Sequence, residues 1–199
     1  SVLSASLANL GFSGLQIGSI YGILPLACII SPFIGSQIAD RYVNTEKFLA
    51  IAHILGGVLM FIMAGKPEYG PLYTIMFIYC LLYAPTLPLT NSLTFQHLTS
   101  TERDFGIIRV GGTIGWIAAG WGITIWRQVL GVYFGDCFQL AAALSIVLGL
   151  FCFFLPKTPP SREGKNPLAF MEAIGLLRDR VFLVFIIISF IVATELQFY

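Results

Sequence analysis

The chain has 199 residues, of which 57% are hydrophobic, 14% aromatic and only 11% charged, with a formal net charge of +1. A mean hydropathy of +0.85 excludes an ordinary soluble domain and places the chain among polytopic α-helical membrane proteins. The near-cancelling charges argue against a nucleic-acid polymer as partner. Cys28, Cys80, Cys137 and Cys152, scattered without CxxC spacing or a histidine cluster, argue against a metal and read as small buried apolar residues.

Ser1 to Leu7 reads as the end of an earlier helix, followed by a loop through Asn9, Gly11 and Ser13. With no charged leader at the start and an apolar run at the end, the chain is expected to be truncated on both sides. Apolar spans are expected over Gly14–Ala39, Phe48–Ala64, Leu72–Leu98, Phe105–Trp126 and Cys137–Leu155. A sixth begins near Val181 and runs to Tyr199, about 20 residues, enough to cross a bilayer. Arg41 and Lys47 follow the first span, Arg103 the third, and Lys157, Arg162, Lys165, Arg178 and Arg180 the fifth. The opposite connections hold only Lys66 and Arg127, a positive-inside asymmetry that puts the loops after the first, third and fifth spans in the cytoplasm.

The first span ends in Gly35-Ser-Gln-Ile-Ala-Asp40-Arg41 before a short basic loop. Gly35 permits close helix approach, and Asp40 at a membrane boundary can pair with a cation or cap a neighbouring helix. The run resembles the signature between the second and third helices of the major facilitator superfamily. That resemblance implies an all-α polytopic membrane protein with a partial major facilitator fold, in which Gly35, Asp40 and Arg41 form a conformational latch. Val43-Asn44-Thr45-Glu46 stands where the signature has its second glycine and basic pair, which implies a weaker latch.

The third span contains Tyr83-Ala-Pro85-Thr-Leu-Pro88-Leu-Thr90-Asn91-Ser92. Two prolines remove amide donors, a loss tolerated in a membrane only where other groups satisfy the backbone; simple kinks for packing are the alternative. At its cytoplasmic end His97, Glu102 and Asp104 lie close together, without a nucleophile or metal-ligand spacing, and read as a solvated turn.

In the fourth span Arg109, Thr113 and Trp116 follow an i, i+4, i+7 spacing, so a cation, a hydroxyl and an indole share one helical face. A guanidinium in hydrocarbon costs roughly 2.5 kcal/mol or more, so Arg109 either faces a protein-lined or watery cavity or snorkels to the cytoplasmic interface. Gly111, Gly112, Gly115, Gly120 and Gly122 offer other surfaces for close helix packing.

Tyr83-x-Pro85-Thr86-x-x-Leu89-Thr90-Asn91-Ser92 and Arg109-Val110-x-Gly112-Thr113-Ile114-Gly115-Trp116 together resemble the nucleoside:proton symporter family within that superfamily. The resemblance implies that Arg109, Thr113 and Trp116 line a nucleoside cavity, and Glu195-Leu-Gln197 resembles the family's substrate-contacting glutamine segment, implying Gln197. Asn91 is a further candidate for hydrogen bonding to substrate. Glu195, an ionisable group deep in the last span, is a candidate for proton coupling, with a packing role as neutral carboxyl equally open.

Lys157-Thr-Pro-Pro-Ser-Arg-Glu-Gly-Lys-Asn-Pro167 cannot pack and reads as a tether, or as an ordinary long loop, with an amphipathic interfacial helix over Leu168–Leu177. The expected organisation is therefore 1–156 as an N-terminal bundle lacking most of helix 1, 157–179 as the cytoplasmic linker, and 180–199 as helix 7. The expected function is nucleoside import by proton symport through alternating access, without catalysis or cofactor, the proton gradient supplying the driving force. The expected setting is a lipid bilayer, the inner membrane if bacterial, and a monomer when full length. A facilitator for a sugar or small organic anion is the alternative, and a membrane-embedded enzyme a remoter one.

Overall fold

The computed structural model describes residues 2–41, 43–132, 134–159 and 175–195; for 32–41, 101–103 and 193–195 the description covers the backbone alone. All regular structure among them is helical: α1 (Val2–Asn9), α2 (Gly14–Arg41), α3 (Thr45–Met63), α4 (Tyr69–Tyr83), α5 (Thr86–His97), α6 (Thr101–Leu130), α7 (Asp136–Cys152), a 3-10 turn (Leu176–Arg178) and α8 (Arg180–Glu195). Two compact units divide the chain, residues 1–161 and residues 162–199. Of the interfacial helix expected over Leu168–Leu177, positions 168–174 lie outside the described residues, and Leu176 and Leu177 fall in the 3-10 turn.

Three helical stretches, Gly14–Ser31, Thr45–Met63 and Tyr69–His97, are long and apolar enough to cross a bilayer. Helices also cover the other expected spans as far as the described residues reach, and the third expected span is broken. Pro88 has no amide for the Ala84 carbonyl, which the Leu87 amide meets instead at 3.4 Å. That shift leaves the Tyr83 carbonyl without its usual partner, and the Thr86 hydroxyl donates to it at 2.6 Å. The threonine therefore repairs the backbone that the prolines disrupt, and the span continues as two helices, α4 and α5.

The most extensive helix pairing joins α3 and α7, and small residues make it possible. A Cβ on Gly57 would stand 2.6 Å from Cγ1 of Ile146, and one on Gly149 would stand 2.7 Å from Cγ1 of Ile54. The Ser145 hydroxyl adds a bond to the His53 carbonyl at 2.8 Å. By contrast, nothing lies within 4 Å of a Cβ placed on Gly111, Gly112, Gly115 or Gly120, and Gly122 barely reaches Leu140 at 3.9 Å. Among the described residues the close packing expected of the α6 glycines is made instead between α3 and α7, while the main contacts of α6, with α5 and α7, are light. Gly57→Val should destabilise the full-length protein by roughly 1–3 kcal/mol, read as a lower thermal midpoint in detergent, whereas Gly115→Val should leave that midpoint near the parent value.

Two polar knots fix opposite ends of the bundle. At one end Thr158, almost fully buried, receives the His97 ring at 3.0 Å on its hydroxyl. Its amide donates to Oε2 of Glu46 at 2.9 Å, and its carbonyl accepts the Thr45 amide at 3.1 Å. Asn44 donates to the other Glu46 oxygen at 3.0 Å. The loops after α2, α5 and α7 therefore meet at one end, and these are the three that the positive-inside asymmetry predicts to be cytoplasmic. His97, expected in a solvated turn, is the exposed last residue of α5 and contributes to this knot.

At the other end Arg127, in the last turn of α6, grips Asp136, the first residue of α7, through Nε to Oδ2 at 2.6 Å and an outer nitrogen to Oδ1 at 3.0 Å. Oδ1 also accepts the Cys137 amide at 2.6 Å. Gly135, just before it, has φ +92, and a Cβ there would overlap the Ala64 carbonyl, so glycine is required on both counts. The cysteines only partly follow expectation: all four are free, Cys80 and Cys152 are buried and Cys137 partly so, but Cys28 lies exposed on α2.

In the second unit Asp179 caps α8, accepting the Val181 and Phe182 amides at 2.7 and 3.2 Å.

Candidate substrate-binding site

α5 and α6 form an antiparallel hairpin across the short turn at residues 98–100. Phe95 and Phe105 register it, their ring centroids 4.6 Å apart and their planes inclined at 38°. One turn, about 6 Å, deeper on each helix from that pair stand Asn91 and Arg109, which places them at one level. Seven further residues, about 10 Å, reach Trp116 on α6.

A groove of about 490 Å³ lies between these helices. Its volume falls in the range of about 300–1,000 Å³ usual for small-molecule sites. Thr90, Asn91 and Thr94 line it from α5, and Phe105, Ile108, Arg109, Gly112, Thr113 and Trp116 from α6. The 3.6-residue period brings Arg109, Thr113 and Trp116 onto one face, and Trp116 leaves 83% of its surface free for a stacking partner. Asn91 stands on the ridge between this groove and a shallower one of about 430 Å³ lined by Pro88, Ser92, Phe95 and Gln96.

The groove has a definite hydrogen-bonding polarity. Arg109 offers only donors, and no carboxylate among the described residues pairs with it. Thr90 and Thr94 spend their hydroxyl protons on the Thr86 and Thr90 carbonyls, at 2.7 and 2.8 Å, and so present only acceptor lone pairs. Asn91 can do both.

Of the residues singled out in the sequence, Arg109, Thr113, Trp116 and Asn91 share this groove. Gly35, Asp40 and Arg41 occupy the end of α2, where only the backbone is described. Glu195 ends α8, again as backbone, and Gln197 lies outside the described residues. Sequence reasoning missed Thr94, Phe105 and Ile108 as lining residues. Their signal was the i, i+4 spacing of Thr90 and Thr94 and of Phe105 and Arg109, on faces that only the helix register identifies.

An all-helical bundle with three stretches long and apolar enough to cross a bilayer, matched by solved structures of the same architecture, defines a multi-pass membrane protein with a partial major facilitator fold. The family model for the nucleoside H+ symporters matches residues 1–199, and the chain belongs to that family. It is 40% identical over 202 residues to YegT of Escherichia coli (strain K12), covering 97% of this chain and 47% of that protein. It is 30% identical over 200 residues to the nucleoside permease NupG of the same organism, covering 95% of this chain and 46% of the permease. With the xanthosine permease of that strain the identity is 28%, over 84% of this chain and 40% of the relative. Two crystal structures of the nucleoside transporter NupG superpose with TM-scores of 0.82 and 0.74 at 28% identity, over 99% and 96% of this chain and 50% and 48% of theirs. The chain spans about half the length of the curated relatives it matches.

Proposed function

We propose that this chain supplies one wall of a nucleoside site in a transporter that couples nucleoside import to proton entry by alternating access. The observation that carries this reading is the grouping of Arg109, Thr113 and Trp116 opposite Asn91 around one groove, in a member of the nucleoside H+ symporter family. Trp116 stacks the flat base, Arg109 donates to a carbonyl or hydroxyl, and Thr113 and Asn91 bond the remaining edges. No bond is made or broken, so binding groups suffice.

The same reading assigns residues 1–156 to the N-terminal bundle, 157–179 to the cytoplasmic linker and 180–199 to helix 7. Gln197 then joins the substrate contacts from that helix, Glu195 takes part in proton coupling, and Gly35, Asp40 and Arg41 latch one conformation. Rocking of two bundles about a site near the midplane exposes the groove to each side in turn.

In cells expressing the full-length protein, labelled uridine uptake should be blocked by excess unlabelled uridine or adenosine and not by sugars or carboxylates. Dissipating the proton gradient should abolish accumulation. Competition by a sugar or organic anion instead would move the protein to the other facilitator reading, in which Arg109 pairs a carboxylate or bonds hydroxyls.

A further inference from the structure

The polarity of the groove narrows what can occupy its Arg109 level. On one side stands a group that only donates, Arg109; on the other stand Thr90 and Thr94, whose hydroxyl protons are already committed to the Thr86 and Thr90 carbonyls. A ligand group placed between them must accept from the guanidinium and donate to the threonine oxygens at once. A lone carbonyl or unprotonated ring nitrogen satisfies only the first wall and an amine only the second, and a base edge serves both only through two adjacent atoms, an N–H beside a C=O. A hydroxyl satisfies both, because it carries one proton and two lone pairs.

Trp116, about 10 Å along the same helix face, is the flat surface suited to a base. Resting on the nucleoside reading above, we propose that the Arg109–Thr90–Thr94 level is the ribose subsite. Thr90 and Thr94 are its specificity-determining residues, selecting nucleosides that keep their sugar hydroxyls. The back-bonds that threonines commonly make in membrane helices thus acquire a second role: they fix each hydroxyl as an acceptor facing the sugar. Asn91, at the same level and able to reverse its donor and acceptor ends, does not impose this selection.

The test is a set of binding titrations on the purified full-length protein with uridine, 2′-deoxyuridine and 3′-deoxyuridine. The parent should bind at least one deoxy analogue more weakly than uridine, by roughly 3- to 10-fold, the range expected for one lost hydrogen bond. In Thr90→Val/Thr94→Val that gap should close, through weaker uridine binding with the affinity for the affected analogue unchanged. Thr90→Ser/Thr94→Ser, which keeps both acceptors, should retain it. Equal affinity of the parent for all three nucleosides overturns the proposal, and that result needs no variant to fold. A uniform loss for all three in the valine variant also overturns it, since straightening α5 would harm every ligand alike. Failure of the parent to bind any of the three, alongside uptake of another solute class, overturns the nucleoside reading itself.

Discussion

Arg109→Ala is expected to weaken nucleoside binding by about 10- to 100-fold, the loss typical when a hydrogen bond to a charged group disappears. Among the described residues no other cation lines the groove, and the α5 wall supplies acceptors together with the amide of Asn91. Folding should be spared, because Arg109 has no carboxylate partner among the described residues whose burial would be left uncompensated. Arg109→Lys should recover part of the loss, as the charge remains but the planar fork does not. Calorimetric titration of the full-length protein with uridine measures both variants, and monodisperse behaviour in detergent checks the fold. An unchanged dissociation constant in Arg109→Ala would return that side chain to the cytoplasmic interface as a snorkelling cation.

What the sequence made legible here follows from periodicity, and what it hid follows from register. Arg109, Thr113 and Trp116 lie on one face of any helix that contains them, so their common placement needed no tertiary information. Phe105 and Thr94 became lining residues only through the Phe95–Phe105 contact, which sets how far α5 slides along α6. Glycine content likewise marked α6 as a packing surface, yet the helices that interlock are α3 and α7 at Gly57 and Gly149, where each glycine meets a facing isoleucine. Glycine spacing states that a helix can be approached closely, without stating by what. The Glu46–Thr158 bond joins residues 112 positions apart, and no local pattern announces it. Positions 43–46 depart from the facilitator signature, but Asn44, Thr45 and Glu46 use their own polar groups to hold the segment after α7.

The ion pair at the far end of the bundle carries the largest stability expectation. Asp136 is fully buried and Arg127 is 24% exposed, so each stands mostly out of water and depends on the other. Asp136→Ala removes both guanidinium bonds and the acceptor for the Cys137 amide, and should lower stability by about 3 kcal/mol. Arg127→Ala should cost at least as much, because the carboxylate left behind is the more deeply buried partner and keeps one amide donor. Replacing both at once, as Arg127→Met/Asp136→Leu, should cost clearly less than the two single losses added together, since no buried charge is then stranded. The reason is positional: the pair spans the connection from α6 to α7, where Gly135 packs against Ala64, so the fully buried Asp136 carboxylate next to it cannot reach solvent without parting that turn from the end of α3. Thermal midpoints in detergent for the four proteins close the cycle. Additive single effects would show that the two charges act independently, whereas a coupling of about 1.5 kcal/mol or more would establish that the bidentate contact holds these helix ends together.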